Sequence, residues 1–211
     1  MIAVETRNVV KVIRGCRILN DISFTIHEHE HVGIIGQNGS GKSMLFKVLS
    51  GLLIPTSGSV SIWEQGIGKK SFPTDFGCLI ERPGMLMQYS GIENLRLLAS
   101  IQEKTSVAEI SDLMTQLGLD PTDKRPVRKY SMGMRQKLGI IQAVMEKPKL
   151  VILDEPMNNL DVESVQAVRN LIHKMQAEYG TTTIISSHNV EDIDELCDCV
   201  YKMTDGSMRK V

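Results

Sequence analysis

The sequence predicts an α/β fold built on a largely parallel sheet with both faces covered. Three observations carry that reading. Short apolar runs stand at 31–35, 150–153 and 181–185. Each is followed by a stretch with helical spacing, at 42–49, 162–178 and 190–197. Strands that alternate with helices need crossover connections, and these place helices on both sides of a parallel sheet.

The chain opens with β structure. Residues 9–13 are rich in β-branched side chains, and Ile22, Phe24 and Ile26 alternate with polar residues over 20–26. His27-Glu28-His29-Glu30 reads as a polar turn rather than a metal site. The strand 31–35 runs into a glycine-rich loop and then a helix over 42–49, punctuated by Gly51 and Pro55. Residues 60–63 and 77–80 are further strands. The segments 92–101 and 107–117 carry helical periodicity, broken by Gly118 and Pro121. Residues 82–143 therefore read as a mostly helical insertion, after which the α/β pattern resumes. A last hairpin turns at Asp205-Gly206.

The 211 residues fit one domain, and 42% hydrophobic with 23% charged residues is enough for a core. A formal net charge of −1 gives no global field to recruit nucleic acid or an anionic membrane. Cys16, Cys78, Cys197 and Cys199 lack the paired spacing of a zinc site and read as reduced thiols. No signal peptide is expected, and no apolar run approaches the roughly 20 residues that span a bilayer.

The chemistry concentrates in a few segments. Gly36-Gln37-Asn38-Gly39-Ser40-Gly41-Lys42-Ser43 fits the phosphate-binding pattern G-x-x-x-x-G-K-[ST] between a strand and a helix. Successive backbone amides in such a turn form an anion nest, and the helix start adds its dipole. Lys42 then reaches the β- and γ-phosphates of ATP, and Ser43 holds Mg²⁺. The strand 150–153 ends in Asp154 and Glu155. At the carboxyl end of a parallel strand, Asp154 would support Mg²⁺ and Glu155 would polarise the attacking water. Alone, that pair fits an acidic turn equally well. His188, after the strand 181–185, is placed to contact the γ-phosphate, although a histidine in that position is commonly structural.

Together these segments resemble the nucleotide-binding domain of ABC transporters over essentially the whole chain. The most specific is Tyr130-Ser131-Met132-Gly133-Met134-Arg135-Gln136, similar to the family's LSGGQ signature. The resemblance implies a P-loop NTPase, RecA-like core with an antiparallel β subdomain. It divides one domain, 1–211, into a core of 1–81 and 144–211 and a helical subdomain of 82–143. It implies that Ser131, Met132, Gly133 and Met134 clamp the γ-phosphate held by a second copy in a head-to-tail dimer. Asp161, in Asn158-Asn159-Leu160-Asp161, matches the loop crossing that interface, and His188 matches the switch histidine.

Where the chain departs from the family, further expectations follow. Met132 stands for a glycine and Met134 for a glutamine. Glu81 stands at the Q-loop glutamine, where a carboxylate near Mg²⁺ would change the local charge and sense bound Mg·ATP. Ile13 stands where an aromatic residue stacks on adenine, which implies relaxed base preference. These departures resemble a subgroup that exports antimicrobial peptides, including lantibiotic-immunity and bacitracin-resistance ATPases and phenol-soluble-modulin exporters. The implied partner is a separate transmembrane permease at the cytoplasmic face of the cell membrane, with no nucleic acid. A soluble ABC-type ATPase acting on nucleic acid or ribosomes, or an importer subunit, is the alternative.

Overall fold

Apolar alternation and close backbone contacts set the architecture. The computed structural model describes residues 1–68 and 71–211. Strands β1 (Ile2–Ile13), β2 (Cys16–His27), β4 (Ser57–Ile62) and β5 (Gln65–Gly66) form an antiparallel sheet in the order β2-β1-β4-β5. The second sheet has the order β10-β9-β3-β8-β7-β6. Its members are β3 (His31–Ile35), β6 (Phe76–Leu79), β7 (Leu150–Asp154), β8 (Thr182–Ser186), β9 (Cys199–Thr204) and β10 (Ser207–Lys210). All its pairs are parallel except the β9–β10 hairpin.

Strand β7 shows why the core divides in two. Successive side chains of a strand point to opposite faces. Leu150 and Ile152 enter one core with Val32, Ile34 and Ile184, packed against Leu45, Phe46 and Leu49 of α1 (Lys42–Leu49) and the antiparallel sheet. Val151 and Leu153 enter the other with Val168 and Ile172 of α5 (Val162–Tyr179). That second core continues into the helical part: α2 (Gly91–Gln102), α3 (Val107–Gln116) and α4 (Met132–Val144). Helix α6 (Val190–Leu196) follows β8.

Helix α4 lies tightly on β6. A methyl group added at Gly77 would fall 1.8 Å from the Ala143 carbonyl oxygen, so no side chain fits there. The start of the helical part is fixed by capping boxes: Ser90 with Glu93 on α2, and Ser106 with Glu109 on α3. Strand β1 is longer than its sequence pattern suggested because register shifts interrupt its pairing with β2. None of the helices among the described residues is long and apolar enough to cross a membrane.

Candidate functional site

The carboxyl ends of β3 and β7 open on one cleft of about 530 Å³. It is lined by residues 37–44 together with Ile18, Glu81, Gln136, Asp154, Glu155, Asn158 and Asn159. The loop between β3 and α1 carries three glycines at left-handed φ, Gly36, Gly39 and Gly41. At Gly36, with φ 156°, an added methyl would lie 2.5 Å from the Met203 carbonyl oxygen and 2.8 Å from the Ser40 hydroxyl. The loop is thus pressed against β9. Its other support is a hydrogen bond from the Gly206 amide to the Ser40 carbonyl, 3.0 Å. Helix α1 begins after Gly41 with no side-chain cap, so its first amides stay available to an anion.

Lys42 is buried, and its ammonium donates to the Gly36 carbonyl at 2.7 Å. It therefore stays arched over the loop. The Ser43 hydroxyl donates to Asp154 Oδ2 at 2.5 Å, and the Ser186 hydroxyl donates to Asp154 Oδ1 at 2.6 Å. Ser186 also accepts from the Glu155 amide at 2.9 Å. One buried serine on β8 thus locks both carboxylate residues at the end of β7. Ser43 and Asp154 together present hard oxygen donors to the cleft, which fits the donor preference of Mg²⁺.

Glu155 sits at φ 51°, a backbone state uncommon for a residue with a side chain. Its Oε1 lies 3.0 Å from His188 Nε2 and 3.9 Å from Lys42 Nζ. Neither approach has hydrogen-bond geometry, so this buried oxygen has no donor among the described residues. Burial pushes the Glu155 carboxyl above the ordinary carboxylate range, against the opposing charges of His188 and Lys42. His188 also reaches Asn38 Oδ1 at 3.0 Å, joining the end of β8 to the phosphate loop. An acceptor raised toward neutrality and lacking a donor is suited to take a proton from water.

Gln136, the last residue of the signature segment, lines this cleft, whereas the start of the segment does not. Ser131, Met132, Gly133 and Met134 line another hollow with Lys137, Asn159, Leu160, Asp161 and Ser164. The Ser131 hydroxyl accepts from the Met134 amide at 3.1 Å and caps α4. Gly133 faces Asn159 closely, with an added methyl 2.8 Å from the Asn159 carbonyl oxygen. Met132 is 68% exposed. Asp161 caps α5 by accepting from the Ser164 amide, and the Ser164 side chain together with that amide holds its carboxyl below the ordinary range.

Ile13 ends β1 opposite Cys16 and is not among the residues lining the cleft; the aliphatic side chain in the lining is Ile18. Glu81 does line it, at φ 60°, and pairs with Lys47 of α1 at 2.6 Å. Ser186 and Lys47 have no sequence signal of their own, and Gln136, although it closes the signature segment, has none for the contact it makes. The Gln136 amide donates to the carbonyls of both Glu155 and Pro156 at 3.1 Å, tying α4 to the turn after β7. Each acts through a tertiary contact that no local pattern encodes.

Comparison with known proteins gives this geometry a family. The ABC transporter family model matches residues 19–158. The uncharacterized ABC transporter ATP-binding protein YybJ of Bacillus subtilis (strain 168) is 39% identical over 206 residues, 97% of this chain and 94% of the relative. The lantibiotic transport ATP-binding protein SrtF of Streptococcus pyogenes is 34% identical over 204 residues, 97% of this chain and 88% of the relative. A solved structure of an ATP-binding subunit of an ABC transporter has a TM-score of 0.88 at 27% identity, covering 99% of this chain and 89% of that one.

Proposed function

The chain belongs to the ABC transporter family as an ATP-binding, ATP-hydrolysing subunit, and from that premise we propose that it powers export of antimicrobial peptides through a separate permease. The observation that carries the catalytic half is the placement of Glu155 beside Lys42 and His188 at the end of β7. Lys42 and the amides at the start of α1 bind the phosphates and neutralise their charge. Glu155 takes the proton of the attacking water, and His188 holds that carboxylate against the phosphate loop. Mg²⁺, held by Ser43 and Asp154, would supply charge neutralisation at the β- and γ-phosphate oxygens. Glu81 would sense its presence from the edge of the cleft.

Two copies act head to tail in this reading. Within one chain Ser131, Met132, Gly133 and Met134 open on a different hollow from the one holding Lys42 and Glu155. A γ-phosphate bound at Lys42 is therefore completed by Ser131 and Gly133 of a second copy, with Asp161 at the seam. The permease side is supported by apolar residues left in the open beside Glu81. Leu86, Met87 and Tyr89 precede α2, and Leu97 and Ile101 lie on it; all five are exposed. These suit a helix of a membrane protein at the cytoplasmic face. The cargo class follows the likeness to the lantibiotic transport protein.

The test is purification of the full chain from membranes with whatever polytopic protein accompanies it, followed by assay in inside-out vesicles. A cationic lantibiotic should accumulate only with ATP, and Glu155→Gln should abolish accumulation while trapping a nucleotide-bound dimer. Full accumulation with no nucleotide consumed would overturn the proposal.

A further inference from the structure

The cleft holds three carboxylates, Asp154, Glu155 and Glu81. The first two each have a partner within it: Asp154 binds the Ser43 hydroxyl, and Glu155 stands beside Lys42. Glu81 has its cation outside. Lys47 is one helical turn beyond Ser43, so it projects from the same side of α1, and its ammonium meets Glu81 Oε1 at 2.6 Å. Lys47 is not among the residues lining the cleft. The Glu81 carboxylate is 54% exposed, and an ion pair so open to water is easily exchanged.

We propose that Lys47 is a positioning residue that makes a carboxylate tolerable at this corner of the nucleotide site. It draws the charge of Glu81 away from an incoming triphosphate and releases it once a divalent cation is bound. Without Lys47, Glu81 repels the γ-phosphate; with glutamine at position 81, Lys47 has nothing to restrain. The proposal rests on reading the cleft as the Mg·ATP site.

A charge-exchange cycle on the full chain tests it, with binding of fluorescent ATP and ADP analogues read by anisotropy in EDTA and in Mg²⁺. Lys47→Met should weaken metal-free ATP binding about tenfold, and ADP binding less, because the γ-phosphate carries the repulsion. Excess Mg²⁺ should shrink the deficit. Lys47→Arg, which keeps the charge, should bind as the parent does. The Lys47→Met, Glu81→Gln double variant should return to within about twofold of the parent. A double variant as weak as Lys47→Met would overturn the proposal, since Lys47 would then attract nucleotide directly. Unchanged binding by Lys47→Met, or weak binding by Lys47→Arg, would overturn it too. Lys42→Ala is the separate control: if it still binds ATP tightly, the fault lies in the reading of the cleft itself.

Discussion

Helix α1 and helices α2 and α3 begin in opposite ways. The first turn of α1 has no side-chain cap, and a glycine in a left-handed conformation precedes it. Helices α2 and α3 are each closed by a serine and a glutamate that satisfy their own amides. Helix α4 is intermediate: Ser131 caps one amide, Met132 is exposed, and Gly133 lies close to Asn159. A capped start spends its donors on its own chain, whereas an uncapped one reserves them for a ligand. The contrast also explains where the sequence may vary. The loop before α1 is hemmed in by β9 and the turn after it, and it matches the phosphate-binding pattern throughout. At the start of α4 the two departures from the family's signature differ: Met132 is exposed, whereas Met134 packs against the core.

The comparison can be broken in order of effect. Glu155→Gln should lower kcat by about 10²–10⁴ while nucleotide still binds, measured by phosphate release and by anisotropy. Lys42→Ala should weaken ATP binding on the order of a hundredfold, because a charge-assisted contact to phosphate is lost. Gly36→Ala should destabilise the fold by about 2–3 kcal/mol, since the methyl meets the Met203 carbonyl and the backbone is left-handed there. Calorimetry would show this, and an unchanged melting point would mean that the loop is not confined by β9. Ser131→Ala should cost about 1 kcal/mol as a lost cap and lower turnover about tenfold. Affinity of a single chain for ATP should stay unchanged, and a comparable fall in that affinity would place Ser131 in the wrong half-site.

The smallest effect sharpens the closed end of the contrast. A hydrogen bond from Lys147, helped by the Ser106 amide and hydroxyl, holds Glu109 at about 2 instead of 4.5. Its folded-state pKa is depressed, so its contribution is present above the unfolded value and is lost as pH falls from about 4.5 through about 2. Glu109→Gln should therefore lower the melting temperature slightly at neutral pH and not at all below that window. Because the pair is exposed, salt should shrink the difference.

Much of this was legible in the sequence, because local patterns encode local structure. The three inner strands are short apolar runs with a helix after each, and the observed β3, β7 and β8 lie within a residue of the expected bounds. Expected helices over 42–49, 92–101 and 162–178 match α1, α2 and α5 to within a residue at each end. The first strand fared worse. Its buried residues Ala3 and Val4 are adjacent, and the bulges that make this possible erase the two-residue period. In the site, Gly36 to Ser43 is a contiguous run and therefore visible. Ser186, Gln136 and Lys47 join partners 32, 19 and 34 residues away, and such pairings exist only after the sheet has formed.

The β9–β10 turn has a temporal meaning. Gly206 hydrogen-bonds to Ser40 and accepts from Asn20, so the loop that grips phosphate leans on backbone made more than 160 residues later. A ribosome must therefore have made residue 206 before the loop acquires that backing. Truncation just ahead of the turn should yield a chain with its full motif and a slack hold on nucleotide, so the fold withholds that hold from any copy cut before residue 206.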